Sequence, residues 1–223
     1  AVMENVTVTQ QVLRQLQGGH FTLFYQPKVN ATSLKVIGLE ALLRYKNAQG
    51  KILPPTFLPV LYEQGLSQVV DTKVVNLAFE QVIKWRNEGL IVPPVAINFD
   101  KDFLLDNSAV RDFITRAQEL DVSFYIEITE HTYTVEVDAL ASDVKRLREA
   151  GHRISIDDFG AGYSSLTTLL ALEADEIKLD RQLVIAHEEE PERGTVLLAT
   201  RIQLCHSLGL CVVAEGLEND EQL

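Results

Sequence analysis

Arg153–Leu166, RISIDDFGAGYSSL, changes character halfway along. Ile154 and Ile156 are β-branched and flank Ser155, the period of two that marks a strand. The strand runs directly into Asp157 and Asp158, then Phe159 and a flexible Gly-Ala-Gly. A strand that delivers paired carboxylates to a glycine-rich loop suits a divalent cation held against a phosphate, because hard cations take carboxylate oxygens. Taken alone, an Asp pair more often marks a solvated turn or a helix cap. The rest of the chain tips the balance.

Four further short apolar segments resemble this one: VAIN at 95–98, YIEI at 125–128, EIKL at 176–179 and CVVAE at 211–215. Each brings an amide, a carboxylate or a lysine to or near its C-terminal end. Two longer strands precede them, Phe21–Val29, whose ladder Pro27 is expected to end, and Val36–Tyr45, which is mostly apolar yet contains Glu40 and Arg44. Between the strands lie helical patterns at Asn5–Leu16 and Val70–Trp85, and one around Leu140, Val144 and Leu147 with Gly151 as its cap. Pro54-Pro55 interrupt the chain before an apolar segment from Phe57 to Leu66.

The marked residues Glu40, Asn98, Glu127, Asp157, Lys178 and Glu215 are separated by 58, 29, 30, 21 and 37 positions. A strand–helix unit takes about 30 residues or a little more, so most gaps hold one unit and the first has room for two helices. Strands alternating with helices predict a parallel sheet. Functional groups at the ends of many strands predict a closed (β/α) barrel with its active site on that face. A doubly wound open sheet would gather its ligand groups at one crevice instead. Seven strands are readable, so an eight-stranded closure is expected to need a strand beyond Leu223, and the chain reads as a piece of a longer protein.

The 223 residues, 46% of them hydrophobic, suffice for one sizeable core in a single domain, 1–223. The net charge of −12 argues against a broad grip on a nucleic-acid polymer. A small anionic ligand would need metal or a few placed cations. Cys205 and Cys211 are too few for a disulfide framework or a cysteine-built zinc site. They fit reduced, buried thiols in a cytoplasmic domain. No apolar run approaches the length of a membrane span, so no membrane contact is expected of this domain, although a parent protein could be anchored.

The chemistry of the marked residues is cooperative. Glu40, Glu127, Asp157, Asp158 and Glu215 would place five carboxylates on one barrel mouth beside the neutral ligand Asn98. Two carboxylates about 4 Å apart repel by roughly 4 kcal/mol at an effective dielectric near 20. Such a cluster calls for cations, and two divalent ions would suit activation of water for attack on phosphorus. Lys178 would then help position or deprotonate that water. Singly, each residue has an ordinary reading: Glu40 paired with Arg44, Asn98 starting a loop, Lys178 at a solvated strand end beside Asp180. All of them holding together at matching strand ends is much the rarer outcome.

These residues resemble the EAL-domain family of bacterial cyclic di-GMP phosphodiesterases. The namesake tripeptide is Glu40-Ala41-Leu42 in LEALLR, preceded by FTLFYQP. The match continues through Asn98, EITE at Glu127–Glu130, DDFGAGYSSL at Asp157–Leu166, IKLDR at Ile177–Arg181 and AEGLE at Ala214–Glu218. It covers essentially the whole chain. A reading of Asp158-Phe159-Gly160 as a protein-kinase motif fails, because no glycine-rich strand loop or HRD loop precedes it.

The resemblance implies a modified (β/α)8 TIM-like barrel whose first strand is antiparallel. It implies hydrolysis of cyclic di-GMP to linear pGpG with two divalent cations, Mg²⁺ or Mn²⁺. One metal would be held by Glu40, Asn98, Glu127 and Asp157, the other by Asp157, Asp158 and Glu215. Lys178 matches the lysine that contacts the attacking water, and Glu130 the glutamate that anchors the loop after the Asp pair. Gln26, Leu42, Arg44, Asp180 and Glu218 match substrate-contacting positions. The family also implies a homodimer, through the region after the Asp pair, and fusion to sensory or GGDEF domains outside this chain. Degenerate members serve as cyclic di-GMP receptors and typically lose the Glu of the tripeptide or one Asp of the pair. All are present here, which favours an enzyme. Departures from the family pattern are Tyr45 for Trp, Tyr62 for Glu, and Phe99-Asp100 for an aliphatic-Ser pair.

Overall fold

The computed structural model describes residues 19–53, 55–129, 137–159, 172–182, 185 and 191–218. The chain divides into two compact units, one of Ala1–Asn30 with Lys35–Ile97, the other of Ala31–Leu34 with Asn98–Leu223.

In the first unit, β1 (His20–Val29) pairs antiparallel with β2 (Val36–Lys46), and the two-residue β3 (Ile52–Leu53) pairs antiparallel with the end of β2. β4 (Val95–Asn98) lies parallel to β2, with Glu40 opposite Ala96. The β1–β2 register runs through Pro27, opposite Leu39, and becomes irregular only between Lys28 and Val29. Pro27 therefore does not end the ladder, as the sequence suggested; proline is tolerated where no ladder bond needs its missing N–H. Alternation sorts β2 into two faces: Ala41, Leu43 and Tyr45 are buried, while Glu40, Leu42 and Arg44 are half-buried. Tyr45 packs edge-on to Phe21 at 5.0 Å and against Phe57, filling space with an aromatic ring as the family's Trp would.

The gap between Glu40 and Asn98 holds two helices, α1 (Phe57–Glu63) and α2 (Ser67–Asn87). Val70, Val74, Ala78 and Val82 recur every four residues along α2 and are all buried. Trp85 meets Tyr25 of β1 edge-on at 4.7 Å. The Tyr62 hydroxyl reaches to 3.5 Å from the buried Asp71 carboxylate, so this departure from the family pattern is absorbed in local packing.

In the second unit β5 (Phe124–Thr129), β6 (Arg153–Phe159), β7 (Glu176–Leu179) and β8 (Cys211–Ala214) pair in parallel in that order. One face is a continuous apolar row: Phe124, Ile126, Ile128, Ile154, Ile156, Ile177 and Leu179 are all buried. The short α3 (Lys101–Leu104) and α4 (Asn107–Glu119) precede β5, and α5 (Val137–Glu149) and α6 (Pro191–Ser207) lie against β6 and β8 respectively. Leu140, Val144 and Leu147 form the buried stripe of α5, and Gly151 adopts φ 92° just after it. The opposite strand face carries Tyr125, Glu127, Thr129, Arg153, Ser155, Asp157, Glu176 and Lys178, with Glu127, Ser155 and Glu176 in register. Ser155 Oγ donates to Glu176 Oε1 at 2.8 Å.

One buried polar side chain serves the core instead. His152 lies between Phe113 and Phe124, and its Nδ1 accepts from the Phe124 N–H at 3.1 Å. Nε2 finds no partner among the described residues. Burial pushes its pKa down to about 4.

The expected strands are present, and β3 raises their number to eight among the described residues. Cys205 is buried, but Cys211, expected to be buried with it, is exposed because it opens β8 directly after the turn at Gly209. The helix expected at Asn5–Leu16 lies outside the described residues. Among those residues no helix is long and apolar enough to cross a membrane.

Candidate active site

Four strand ends of the second unit converge on one ammonium. Lys178, at the third position of β7, is 1% exposed and lies on the opposite face from its buried neighbours Ile177 and Leu179. Its Nζ lies 3.1 Å from Glu127 Oε2, 3.2 Å from Asp157 Oδ1 and 2.7 Å from Glu215 Oε1. Backbone bonds beyond the regular ladders set two of the participants. The Phe99 N–H donates to the Glu127 carbonyl at 3.0 Å, which brings Asn98 alongside, and Asn98 Nδ2 donates to Glu127 Oε2 at 3.1 Å. The Glu215 N–H donates to the Leu179 carbonyl at 3.2 Å, carrying that carboxylate one residue past β8 to Lys178. The Phe99-Asp100 departure supports this corner: Phe99 packs on Phe103 and Phe113, and Asp100 caps α3.

A buried ammonium is stable only when well paired. Here the excess is negative, since three carboxylates face one cation. Burial pushes the Glu215 carboxyl up; the charge and hydrogen bond of Lys178 oppose this, while Asp157 and Glu127 add to it. Among the described residues no three acidic, His or Cys side chains close around a metal-sized point. The carboxylates close on Lys178 instead. The donor set nevertheless fits a hard divalent cation: it is all oxygen, it is rich in negative charge, and it includes the amide oxygen of Asn98.

In the first unit, β1 and β2 place the other expected residues on one face. Directly opposite pairs share a face in an antiparallel ladder. Thr22 stands opposite Arg44, Phe24 opposite Leu42, and Gln26 opposite Glu40. β2 continues to Lys46, so Glu40 and Arg44 do face the same side. Arg44 donates from Nη1 to the Leu43 carbonyl at 2.9 Å, and its guanidinium stands 6.0 Å from the Phe24 ring centre.

Asp180 follows β7 and accepts from the Gln182 N–H at 2.7 Å. Glu218 is ion-paired with Arg181, a residue to which the sequence had assigned no role. Gly216 lies between Glu215 and Glu218 at φ 71°, and a Cβ there would overlap the side chain of Arg181. The loop carrying both glutamates is thus shaped by a glycine that makes room for Arg181. Phe24, exposed on the β1–β2 face, was also overlooked. Its signal in the sequence is that it interrupts the alternation of Phe21, Leu23 and Tyr25. Asp158 lies on β6, but its side chain, like Glu130 and the segment after the Asp pair to which dimerisation was assigned, is outside what the structure describes.

The family model described as EAL domain matches residues 9–223. The chain is 34% identical over 227 residues to the bifunctional diguanylate cyclase/cyclic di-GMP phosphodiesterase MucR of Pseudomonas aeruginosa, covering 98% of this chain and 32% of that protein. It is 31% identical over 227 residues to the probable cyclic di-GMP phosphodiesterase PdeB of Escherichia coli, covering 95% of this chain and 43% of that one. The chain therefore spans less than half the length of these curated relatives. Among solved structures, the PaMucR phosphodiesterase in complex with c-di-GMP superposes with a TM-score of 0.82 at 30% identity, covering 98% of this chain and 89% of that one. The fold class is that of these neighbours, a TIM-like α/β barrel whose first strand is antiparallel.

Proposed function

The chain belongs to the EAL domain family, and on that premise we propose that it hydrolyses one phosphodiester bond of cyclic di-GMP to give linear pGpG. The observation that carries this reading is the buried Lys178 ammonium in contact with Glu127, Asp157 and Glu215. A group so placed, with Asn98 donating to the same Glu127 oxygen, Oε2, holds a row of oxygens in position before any substrate arrives.

Asn98, Glu127, Asp157 and Glu215, joined through the family resemblance by Glu40 and Asp158, would hold two divalent cations, Mg²⁺ or Mn²⁺. When bound, such ions supply a water activated at neutral pH and stabilise charge on the phosphoryl oxygens. Lys178 donates hydrogen bonds at the same place and holds the carboxylates of Glu127, Asp157 and Glu215 around one point. Arg44 pairs with a phosphate, Gln26 and Leu42 line the nucleotide, and Asp180 and Glu218 meet a guanine edge. Glu130 anchors the loop after Asp158. A homodimer belongs to the proposal on the resemblance alone, and a cytoplasmic location on the sparing use of cysteine.

The test is to incubate the protein with cyclic di-GMP and Mg²⁺ or Mn²⁺, with and without a chelator, and to separate the products by chromatography. The expected result is pGpG that forms only when divalent cation is available. Tight binding of cyclic di-GMP with no product under any metal would overturn the enzyme reading in favour of a receptor.

A further inference from the structure

β1 alternates between two environments. Phe21 and Tyr25 turn one way, against Tyr45, Phe57 and Trp85. Thr22, Phe24 and Gln26 turn the other way, and Phe24 is 48% exposed. Isolated exposed apolar side chains are common and need no explanation. Phe24 is not isolated by chance among polar groups, because its cross-strand neighbour is Leu42. The two make an apolar step in the middle of a three-rung patch. Thr22 and Arg44 form the rung on one side of it, Gln26 and Glu40 the rung on the other.

The order of these rungs matches the order of chemistry along a nucleotide. A flat apolar ring suits the aromatic step, since aromatic side chains accept base faces without regard to hydrogen-bonding pattern. The Arg44 guanidinium, 6.0 Å from the Phe24 ring centre, suits the phosphate next to that base. Gln26 supplies both a donor and an acceptor beyond it. We propose that Phe24, backed by Leu42, is the surface on which a guanine ring of the substrate packs, making Phe24 a substrate-binding residue of the β1–β2 face. This rests on the phosphodiesterase reading above and adds to it a base-contacting side chain from β1.

The test compares wild type, Phe24→Ala, Phe24→Gln and Phe24→Tyr by steady-state hydrolysis of cyclic di-GMP with Mg²⁺, with thermal melting to confirm that each variant is folded. Phe24→Gln guards against loss of fold, because a polar residue suits an exposed strand position. The Ala and Gln variants should raise KM roughly tenfold, the order expected for one lost base stack, with kcat within about twofold of wild type, and Tyr should restore KM. An active wild type whose KM is unchanged by Ala and Gln overturns this proposal alone, as does a loss confined to kcat. A wild type that neither binds nor hydrolyses cyclic di-GMP overturns the proposed function, and this subsite with it.

Discussion

The polar face of β5–β8 and the exposed face of β1–β2 hold most of the candidate residues, and they are built on opposite principles. On β5–β8 the charged groups are satisfied by one another: Lys178 and Glu127 are buried, and the carboxylates meet a shared ammonium. On β1–β2 the residues stand opposite one another in register, half-buried or exposed, and mix apolar with charged types. A ring of mutually fixed charges is suited to chemistry, where donors must be in place before charge develops. An open, mixed face is suited to recognition, where the ligand supplies the missing contacts. Substitutions on the first face should therefore fall on kcat, and on the second face on KM.

The largest effect is expected at Lys178. Lys178→Met leaves three carboxylates without their common cation, and breaking a buried ion pair from one side typically costs about 3–5 kcal/mol. Turnover should drop at least about a hundredfold with KM little changed. The melting temperature without divalent cations should fall as well, and added Mg²⁺ should recover part of it, because cations then replace the lost positive charge. A variant whose defect lies in KM alone would remove the distinction between the two faces.

A second buried nitrogen base gives a contrast inside the same unit. Burial favours the neutral form of His152 and pushes its pKa down to about 4 from the usual 6.5. Between those values the unfolded chain binds a proton that the folded chain does not, so stability declines as pH falls from about 6.5 to about 4 and is higher above that window. The loss approaches about 3 kcal/mol at the low end. Urea unfolding of wild type and His152→Leu across this range should show a flatter profile for the variant. Equal slopes would assign the acid sensitivity to other groups.

How much of this arrangement could be read from the chain alone follows from range. Strands such as Ile154–Asp157 and Glu176–Leu179 are readable because β-branched alternation and a terminal functional group lie within a few residues. β3 was missed because two residues show no periodicity. α4 was missed although Asp106, which accepts from the Ser108 and Ala109 N–H groups, is a proper N-cap. Contacts such as Lys178 with Glu127, 51 positions apart, or Arg181 with Glu218, 37 apart, leave no local trace. The motif order identified which residues belong together, but not that the carboxylates close on the ammonium.

On the β1–β2 face the corresponding change is Arg44→Ala. A hydrogen bond to a charged group is worth about 1.5–3 kcal/mol, so KM for cyclic di-GMP should rise about ten- to a hundredfold. The turnover number should stay within a few-fold, since Arg44 is tied to its own strand through the Leu43 carbonyl. Isothermal titration with a catalytically silent Lys178→Met background should give the same loss as a dissociation constant. A collapse of kcat with KM unchanged would move Arg44 to the chemical side of the comparison.

The smallest effect should come from the loop between Glu215 and Glu218. Gly216 sits at φ 71°, where an L-residue costs roughly 1–2 kcal/mol, and its missing Cβ leaves the space that Arg181 occupies. The Arg181–Glu218 pair is more than half exposed on both sides, so its own contribution to stability is about 0–1 kcal/mol. Gly216→Ala should therefore lower the melting temperature by a few degrees, and Arg181→Ala should hardly change it. In the double variant the overlaps with Arg181 Cγ and Cδ are gone, but the close approach of the Cβ at position 181 and the backbone strain both remain, so the melting temperature should recover only part of the way toward that of Arg181→Ala. Full recovery would mean the glycine is kept only to make room for the arginine beyond its Cβ, and no recovery would mean it is kept for its backbone angle and for the approach of the Cβ at position 181. Because Glu215 belongs to the Lys178 cluster and Glu218 is proposed to meet a guanine edge, the single Gly216→Ala variant should be the one substitution that shifts kcat and KM together, each by only a few-fold.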